Sequence, residues 1–266
     1  MRHLLRPILL ALVLAATPLA LLPAASTPAH AESSKLDAIL ARGTIRVGLT
    51  GDYRPFSLLD KASGTFEGLD VDMAESLGRA LGVKVELVPT TWGGLLGDLA
   101  ADRFDLAMGG ISVTLERQKT AFFSTPLVRT GKAAIARCTD KDRFDSLAAI
   151  DRPGVKVLAN PGGTNERFDR ANLKAAEIVM IPTNTAIFDA LVAGKGDVMI
   201  TDSVETRLQQ KLHPQLCAIH PDRPFDFGEL AYLLPRDAVL KAWIDQWLHV
   251  SQETGEYARL TAKWLQ

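Results

Sequence analysis

The chain carries one structural plan twice. Leu99-Ala-Ala-Asp-Arg-Phe-Asp-Leu-Ala-Met108 and Leu191-Val-Ala-Gly-Lys-Gly-Asp-Val-Met-Ile200 are built alike: a helix end, a short basic turn, an aspartate and an apolar strand. Their surroundings match as well. Residues 44–50 are rich in β-branched side chains and run into Gly51-Asp52, which predicts a strand and a turn. Residues 70–81 place Met73, Leu77, Ala80 and Leu81 on one face and stop at Gly82, a helical pattern. A strand at 84–89 follows, then helical spacing of Trp92, Leu95, Leu96 and Leu99, then a buried strand at 105–108 ending at Gly109-Gly110. The order restarts with a strand at 155–159, a helix at 164–171 and a strand at 177–181. A helix marked by Ile187, Phe188, Leu191 and Val192 and a strand at 197–201 complete the second copy. A β-α-β-α-β order calls for a mainly parallel sheet with helices on both faces. The expected fold is therefore α/β, with two similar lobes.

Two extended stretches, 122–136 and 217–235, flank the second half. If both cross between lobes, the second lobe is inserted into the first and the crossings form a hinge. The expected division is 32–127 with 226–266 for the first lobe and 128–225 for the second. Helices at 238–254 and 257–265 would return to the first lobe. A ligand would sit in the cleft, where strand ends and helix starts of both lobes meet.

Residues 1–31 have the pattern of a secretory signal peptide. Arg2, His3 and Arg6 precede a mostly apolar run from Ile8 to Leu22, and Ala29-His30-Ala31 is an A-x-A cleavage site. No cysteine lies near that site, which argues against a lipid anchor, and no later stretch is apolar enough for a membrane span. The expected product is exported to the periplasm and free of the membrane. The formal net charge of −1 is spread along the chain, with no basic stripe, so nucleic-acid binding has no support. Two cysteines, Cys138 and Cys217, suggest a disulfide in an exported chain; two separate buried thiols are the alternative. The five histidines do not cluster in metal-binding spacing, and no metal site is expected. The oligomeric state is left open.

The stretch Asn160-Pro-Gly-Gly-Thr-Asn-Glu166 joins a strand to a helix. Its glycines permit close backbone approach, and the free N–H groups of a helix start favour an anion. With Glu166 in the same turn, the motif suits either a receptor for a small organic acid or an enzyme acting on one.

The lobe order, Tyr53-Arg-Pro-Phe56, the segment around Trp92, Gly109-Gly-Ile-Ser112, Leu115-Glu-Arg117 and Phe123-Ser-Thr-Pro126 resemble the periplasmic amino-acid-binding proteins, the solute receptors of ABC transporters. Within that superfamily the chain is most similar to the periplasmic cyclohexadienyl dehydratases. Thr50-Gly-Asp-Tyr-Arg-Pro-Phe56, the 160–166 motif, Arg170-Ala-Asn-Leu-Lys174 and Leu212-His-Pro-Gln-Leu-Cys217 carry that closer match. So do Pro224-Phe-Asp-Phe227, Tyr232-Leu-Leu-Pro-Arg-Asp237 and Asp245-Gln-Trp-Leu-His249. The resemblance implies conversion of prephenate to phenylpyruvate and of L-arogenate to L-phenylalanine, with loss of CO2 and water and without a cofactor.

It also implies roles for individual residues. Arg117 would hold the ligand's α-carboxylate through its planar fork, the alternative being a surface arginine in a turn. Thr164 and backbone amides near Gly163 would hold the same carboxylate from the other lobe, or simply cap the helix. Gly110 and Ser112 offer contacts from the first lobe. Asp202 would pair with a ligand ammonium group or cap the helix after it. Tyr53, Phe56 and Trp92 would form a slot for a six-membered ring or belong to the core. Lys132 or Arg129 would meet the ring carboxylate through a weak or water-mediated contact, since a tight grip would oppose CO2 loss, the alternative being that both are simply solvated. Glu166 would be the general acid that protonates the departing ring hydroxyl. Against this, a helix start lowers a carboxyl pKa, and the alternative is an acid in the first turn that only complements the helix dipole. Glu205 and Asp202 stand next in line. The competing reading is a transport receptor that binds and does no chemistry; an exported sensor domain is a third.

Overall fold

The computed structural model describes residues 33–265; the expected signal peptide lies outside the described residues. Two mixed sheets organise the chain. In the first, Lys84–Pro89, Thr44–Leu49 and Leu106–Ser112 run parallel, and Gly228–Leu234 pairs antiparallel with the last of these. Phe122–Phe123 and Val128–Thr130 pair with Gly228–Leu234. In the second, Glu177–Met180, Lys156–Ala159 and Val198–Asp202 run parallel, and Lys132–Arg137 and Leu216–Ile219 complete it antiparallel. The chain thus passes from the first sheet to the second around Gly131 and returns between Ile219 and Gly228. Each sheet buries apolar side chains on both faces, with Val47, Met73 and Tyr232 on one side of the first and Phe104, Ile111 and Leu233 on the other. The second sheet is covered by Val157 and Ile200 on one face and by Ile135, Phe188 and Met199 on the other.

Three local features depart from the sequence expectation. Asp52–Tyr53, Ser57–Asp60 and Thr65–Glu67 form a small antiparallel meander inside the first lobe. The strand expected to stop at Gly109-Gly110 runs on to Ser112. Both glycines have positive φ, and their N–H groups donate to the buried Asp70 Oδ2 at 2.8 and 3.0 Å. A side chain at Gly110 would strike the Phe56 ring at 2.5 Å, so the kink requires glycine. Third, the helix after Trp92 spans only Leu95–Ala100, which leaves Trp92 in the preceding turn.

Cys138 and Cys217 form a disulfide that closes a loop of 79 residues around the second sheet. The chain-entropy model gives about 4.5 kcal/mol for a loop of this length, an upper-end figure.

One core residue has no role in holding the fold through polar bonds. Asp169 lies on the inner face of the Thr164–Asn172 helix, fully buried, and both of its carboxyl oxygens lack a partner. Burial raises its pKa to about 8, against the pull of Lys132 and Arg170. A carboxyl raised in the fold favours folding below its unfolded pKa, and that contribution is lost as pH rises through the folded value. Asp169→Asn, which cannot ionise, should therefore gain thermal stability over the parent chain at pH 9 relative to pH 5. A chain of this size shifts by about 2–4 °C per kcal/mol. Melting curves at the two pH values check this, and an equal difference at both would show that the fold does not raise the Asp169 pKa.

Candidate active site

The carboxyl ends of the parallel strands in both sheets face one another across the cleft, and the side chains there are packed. The cavity between them is nearly closed, with a volume of about 20 Å³. Its walls are Tyr53, Trp92, Gly110 and Ser112 from the first lobe. From the second come Asn160, Gly163, Thr164, Asn165, Asn184, Thr201, Asp202 and Glu205.

Five side chains lock together at its base. Lys132 Nζ donates to Asp202 Oδ1 at 2.8 Å, Asn165 Oδ1 at 2.6 Å and Thr164 Oγ1 at 3.1 Å. The other oxygen of Asp202 accepts from the Tyr53 hydroxyl of the opposite lobe at 2.8 Å. Lys132 and Asp202 are both buried, so the pair is worth keeping only because its remaining lone pairs and protons are satisfied. The Asp202 side chain does not cap the helix that follows. Its carboxylate is already paired with an ammonium from the protein itself, where the sequence reading expected one from the ligand. Lys132, in turn, makes direct bonds inside the seam.

Arg117 is 4% exposed, and its Nη1 donates to Ser112 O at 2.8 Å. Among the described residues it has no carboxylate within ion-pair distance, and burial lowers its pKa to about 10. A desolvated guanidinium without a counter-charge is a ready receptor for a carboxylate. Thr164 opens its helix after Gly163, whose N-cap position makes no side-chain cap, and Ser112 Oγ lies 3.1 Å from Thr164 Oγ1. Gly110 lines the cavity, but its N–H is held by Asp70, so only its carbonyl side is open to a ligand.

Of the three aromatic residues, Tyr53 and Trp92 line the cavity, with ring centroids 5.9 Å apart. Phe56 stands behind Tyr53 at 5.1 Å, buried against the Gly110 kink and outside the lining.

Glu166 is not among the lining residues. Its Oε2 accepts from the Gly162 N–H at 2.7 Å, and Oε1 pairs with Arg170 at 2.8 Å with the side chain 20% exposed. Those two contacts hold its carboxyl below the usual glutamate range. The acid therefore closes the glycine turn, turned away from the cavity and ionised. Gly162 serves the contact between lobes, since a side chain there would meet the Gly93 backbone of the opposite lobe at 2.7 Å, while Gly163 lines the cavity.

The opposite holds for Glu205. It is 1% exposed, lines the cavity, and has its pKa raised to about 8 by burial, with the charge of Asp202 adding to the shift. Asn184 Nδ2 donates to its Oε1 at 2.6 Å and Thr201 Oγ1 to its Oε2 at 2.5 Å. Both bonds arrive at lone pairs, leaving the acid's own hydrogen available to the cavity. Sequence reasoning ranked Glu205 below Glu166 and passed over Asn160, Asn165, Asn184 and Thr201. The signal that could have found them is positional: each sits at a strand end or a helix start of the second lobe.

Comparison with known proteins follows this geometry. Residues 45–266 match the model of the bacterial extracellular solute-binding proteins, family 3. The chain belongs to that family. It is 52% identical over 255 residues to the cyclohexadienyl dehydratase of Pseudomonas aeruginosa, covering 96% of this chain and 94% of that one. Among solved structures it is similar to an ancestral amino-acid-binding protein that is a precursor of cyclohexadienyl dehydratase. That match has a TM-score of 0.81 and 35% identity over 88% of this chain and all of that one. An ancestral cyclohexadienyl dehydratase is 49% identical over 89% of this chain and 98% of its own, at a TM-score of 0.56. Among the described residues no helix is long and apolar enough to cross a membrane.

Arg117→Ala should weaken binding of a carboxylate ligand such as phenylpyruvate about 10- to 100-fold, the worth of a charged hydrogen-bonded pair. Isothermal titration measures it, and unchanged affinity would move the carboxylate away from Arg117.

Proposed function

We propose that this chain is a cyclohexadienyl dehydratase, converting prephenate to phenylpyruvate and L-arogenate to L-phenylalanine with loss of CO2 and water, and that Glu205 is its general acid. It acts in the periplasm after removal of residues 1–31. The carrying observation is a carboxyl group that lines the cavity, is sealed from solvent and has a pKa of about 8. A receptor has no use for a proton held at neutral pH, whereas expulsion of a ring hydroxyl requires one. The 52% identity to a dehydratase over nearly the whole chain supports the same reading.

The chemistry then assigns itself to the groups present. Arg117 and the first amides of the Thr164–Asn172 helix hold the side-chain carboxylate of the substrate. Tyr53 and Trp92 bracket the ring. Glu205 gives its proton to the ring hydroxyl as the C–O bond breaks. The bond to the ring carboxylate breaks in the same event, CO2 leaves, and its electron pair completes the aromatic ring. Glu205 is left ionised beside Asp202 and recovers a proton from solvent before the next turnover. Asp202, already satisfied by Lys132, places no demand for an amine on the substrate, in keeping with both a keto acid and an amino acid.

Glu205→Gln should cut kcat by about 100-fold or more, and Glu166→Gln should leave it within about threefold. The reverse result would return the acid to Glu166, and a parent protein that binds prephenate without forming phenylpyruvate would be a receptor. Because the proton must be present, kcat/KM should stay level on the acid side of about pH 8 and fall tenfold per unit above it. Phenylpyruvate absorbance across pH 6–10 tests this, and a rate that rises with alkaline pH would exclude an acid with this pKa.

A further inference from the structure

The residue that holds Glu205 is itself bonded to a residue of the opposite lobe that does not line the cavity. Asp52 opens the small meander of the first lobe, and its carboxylate is nearly buried. Its Oδ1 accepts from the Trp92 indole Nε1 at 2.9 Å, within the same lobe. Its Oδ2 accepts from the backbone N–H of Asn184 at 3.2 Å, across the cleft. Asn184 is the first residue of the Asn184–Val192 helix, and the N-cap residue, Thr183, makes no side-chain cap. The helix start is thus capped in trans by a carboxylate from the other lobe, where both the free N–H and the helix dipole favour a negative charge.

The same Asn184 holds the acid. Its side-chain Nδ2 donates to Glu205 Oε1 at 2.6 Å, and the residue is buried. One residue therefore joins two bonds, its backbone to Asp52 and its side chain to Glu205. When the lobes part, Asp52 leaves with Trp92. The helix start then loses its acceptor, and an asparagine in that position turns readily to local backbone hydrogen bonding instead.

We propose that Asp52 is a positioning residue that couples closure of the cleft to alignment of Glu205, so that the acid is set against the ring only when the lobes are shut. This rests on the assignment of Glu205 as the acid. It gives the enzyme a reason for a carboxylate at the lobe boundary that a simple receptor lacks: a proton donor held out of line in the open cleft does not act on a half-seated substrate. The groups around Asp52 are Trp92, the Asn184 amide and the Thr50 hydroxyl. Those around Glu205 are Asn184, Thr201, Asp202 and Lys132.

The test is a double-mutant cycle of Asp52→Ala and Glu205→Gln, read by steady-state turnover of prephenate and by calorimetric binding of phenylpyruvate. Asp52→Ala should lower kcat about 10- to 100-fold, the scale of a misplaced catalytic group, with phenylpyruvate affinity within about threefold of the parent. In the Glu205→Gln background the same change should have no further effect on kcat. Asp52→Asn, close in shape and able to keep one of the two bonds, should lie between parent and alanine variant, and it decides the question if the alanine variant does not fold. Unchanged kcat, or a loss that persists undiminished beside Glu205→Gln, overturns the coupling. A Glu205→Gln variant with parental kcat overturns the acid assignment itself, whatever Asp52 does.

Discussion

The closed seam between the lobes depends on one carboxylate with two partners. Asp202 is reached by Lys132 from its own lobe and by the Tyr53 hydroxyl from the other. Taking such charges out of water is expensive, and only complete hydrogen bonding makes it tolerable. Lys132 extends the network to Asn165 and Thr164, which ties the start of the Thr164–Asn172 helix to the strand carrying Asp202. Through Tyr53 the network also draws in the aromatic wall formed with Trp92. Removing Asp202 would leave a buried ammonium and open the seam at the same point.

The seam also sets the chemistry of its neighbour. With the charge of Asp202 fixed beside it and water shut out, Glu205 keeps its proton. Two carboxyl groups one helical turn apart thus take opposite states, one paired with Lys132 and one buried neutral, and environment alone separates them. In the proposed mechanism the guanidinium, the helix amides and the aromatic wall bind the substrate, and the proton of Glu205, bracketed by Asn184 and Thr201, is the addition that turns the cleft toward catalysis.

Much of the fold was legible before any coordinates. The alternation of apolar strands and amphipathic helices, the glycine stops and the repeated 99–108 and 191–200 segments are local signals, and the two sheets follow them closely. The meander at 52–67 was not legible, because strands of two to four residues carry too little periodicity. Thr164, Ser112, Trp92 and Tyr53, which lie in contiguous motifs, line the cavity, whereas Arg117 lies outside its lining. Glu166 sits in the most conspicuous motif, yet the Gly162 N–H within that motif and Arg170 one helical turn beyond it claim its carboxylate locally.

By itself, the sequence determined the class of fold, the pairing of two lobes and the glycine-led helix start at the cleft, since each depends on residues near one another in the chain. Only the tertiary structure decided which carboxyl group is buried and protonated. Desolvation is a property of everything packed around a group, and Glu205 is enclosed by Lys132, Asn184, Thr201 and Asp202, which no linear pattern brings together. The same holds for the bond from Asp52 to Asn184, which exists only because two lobes distant in sequence close on one another.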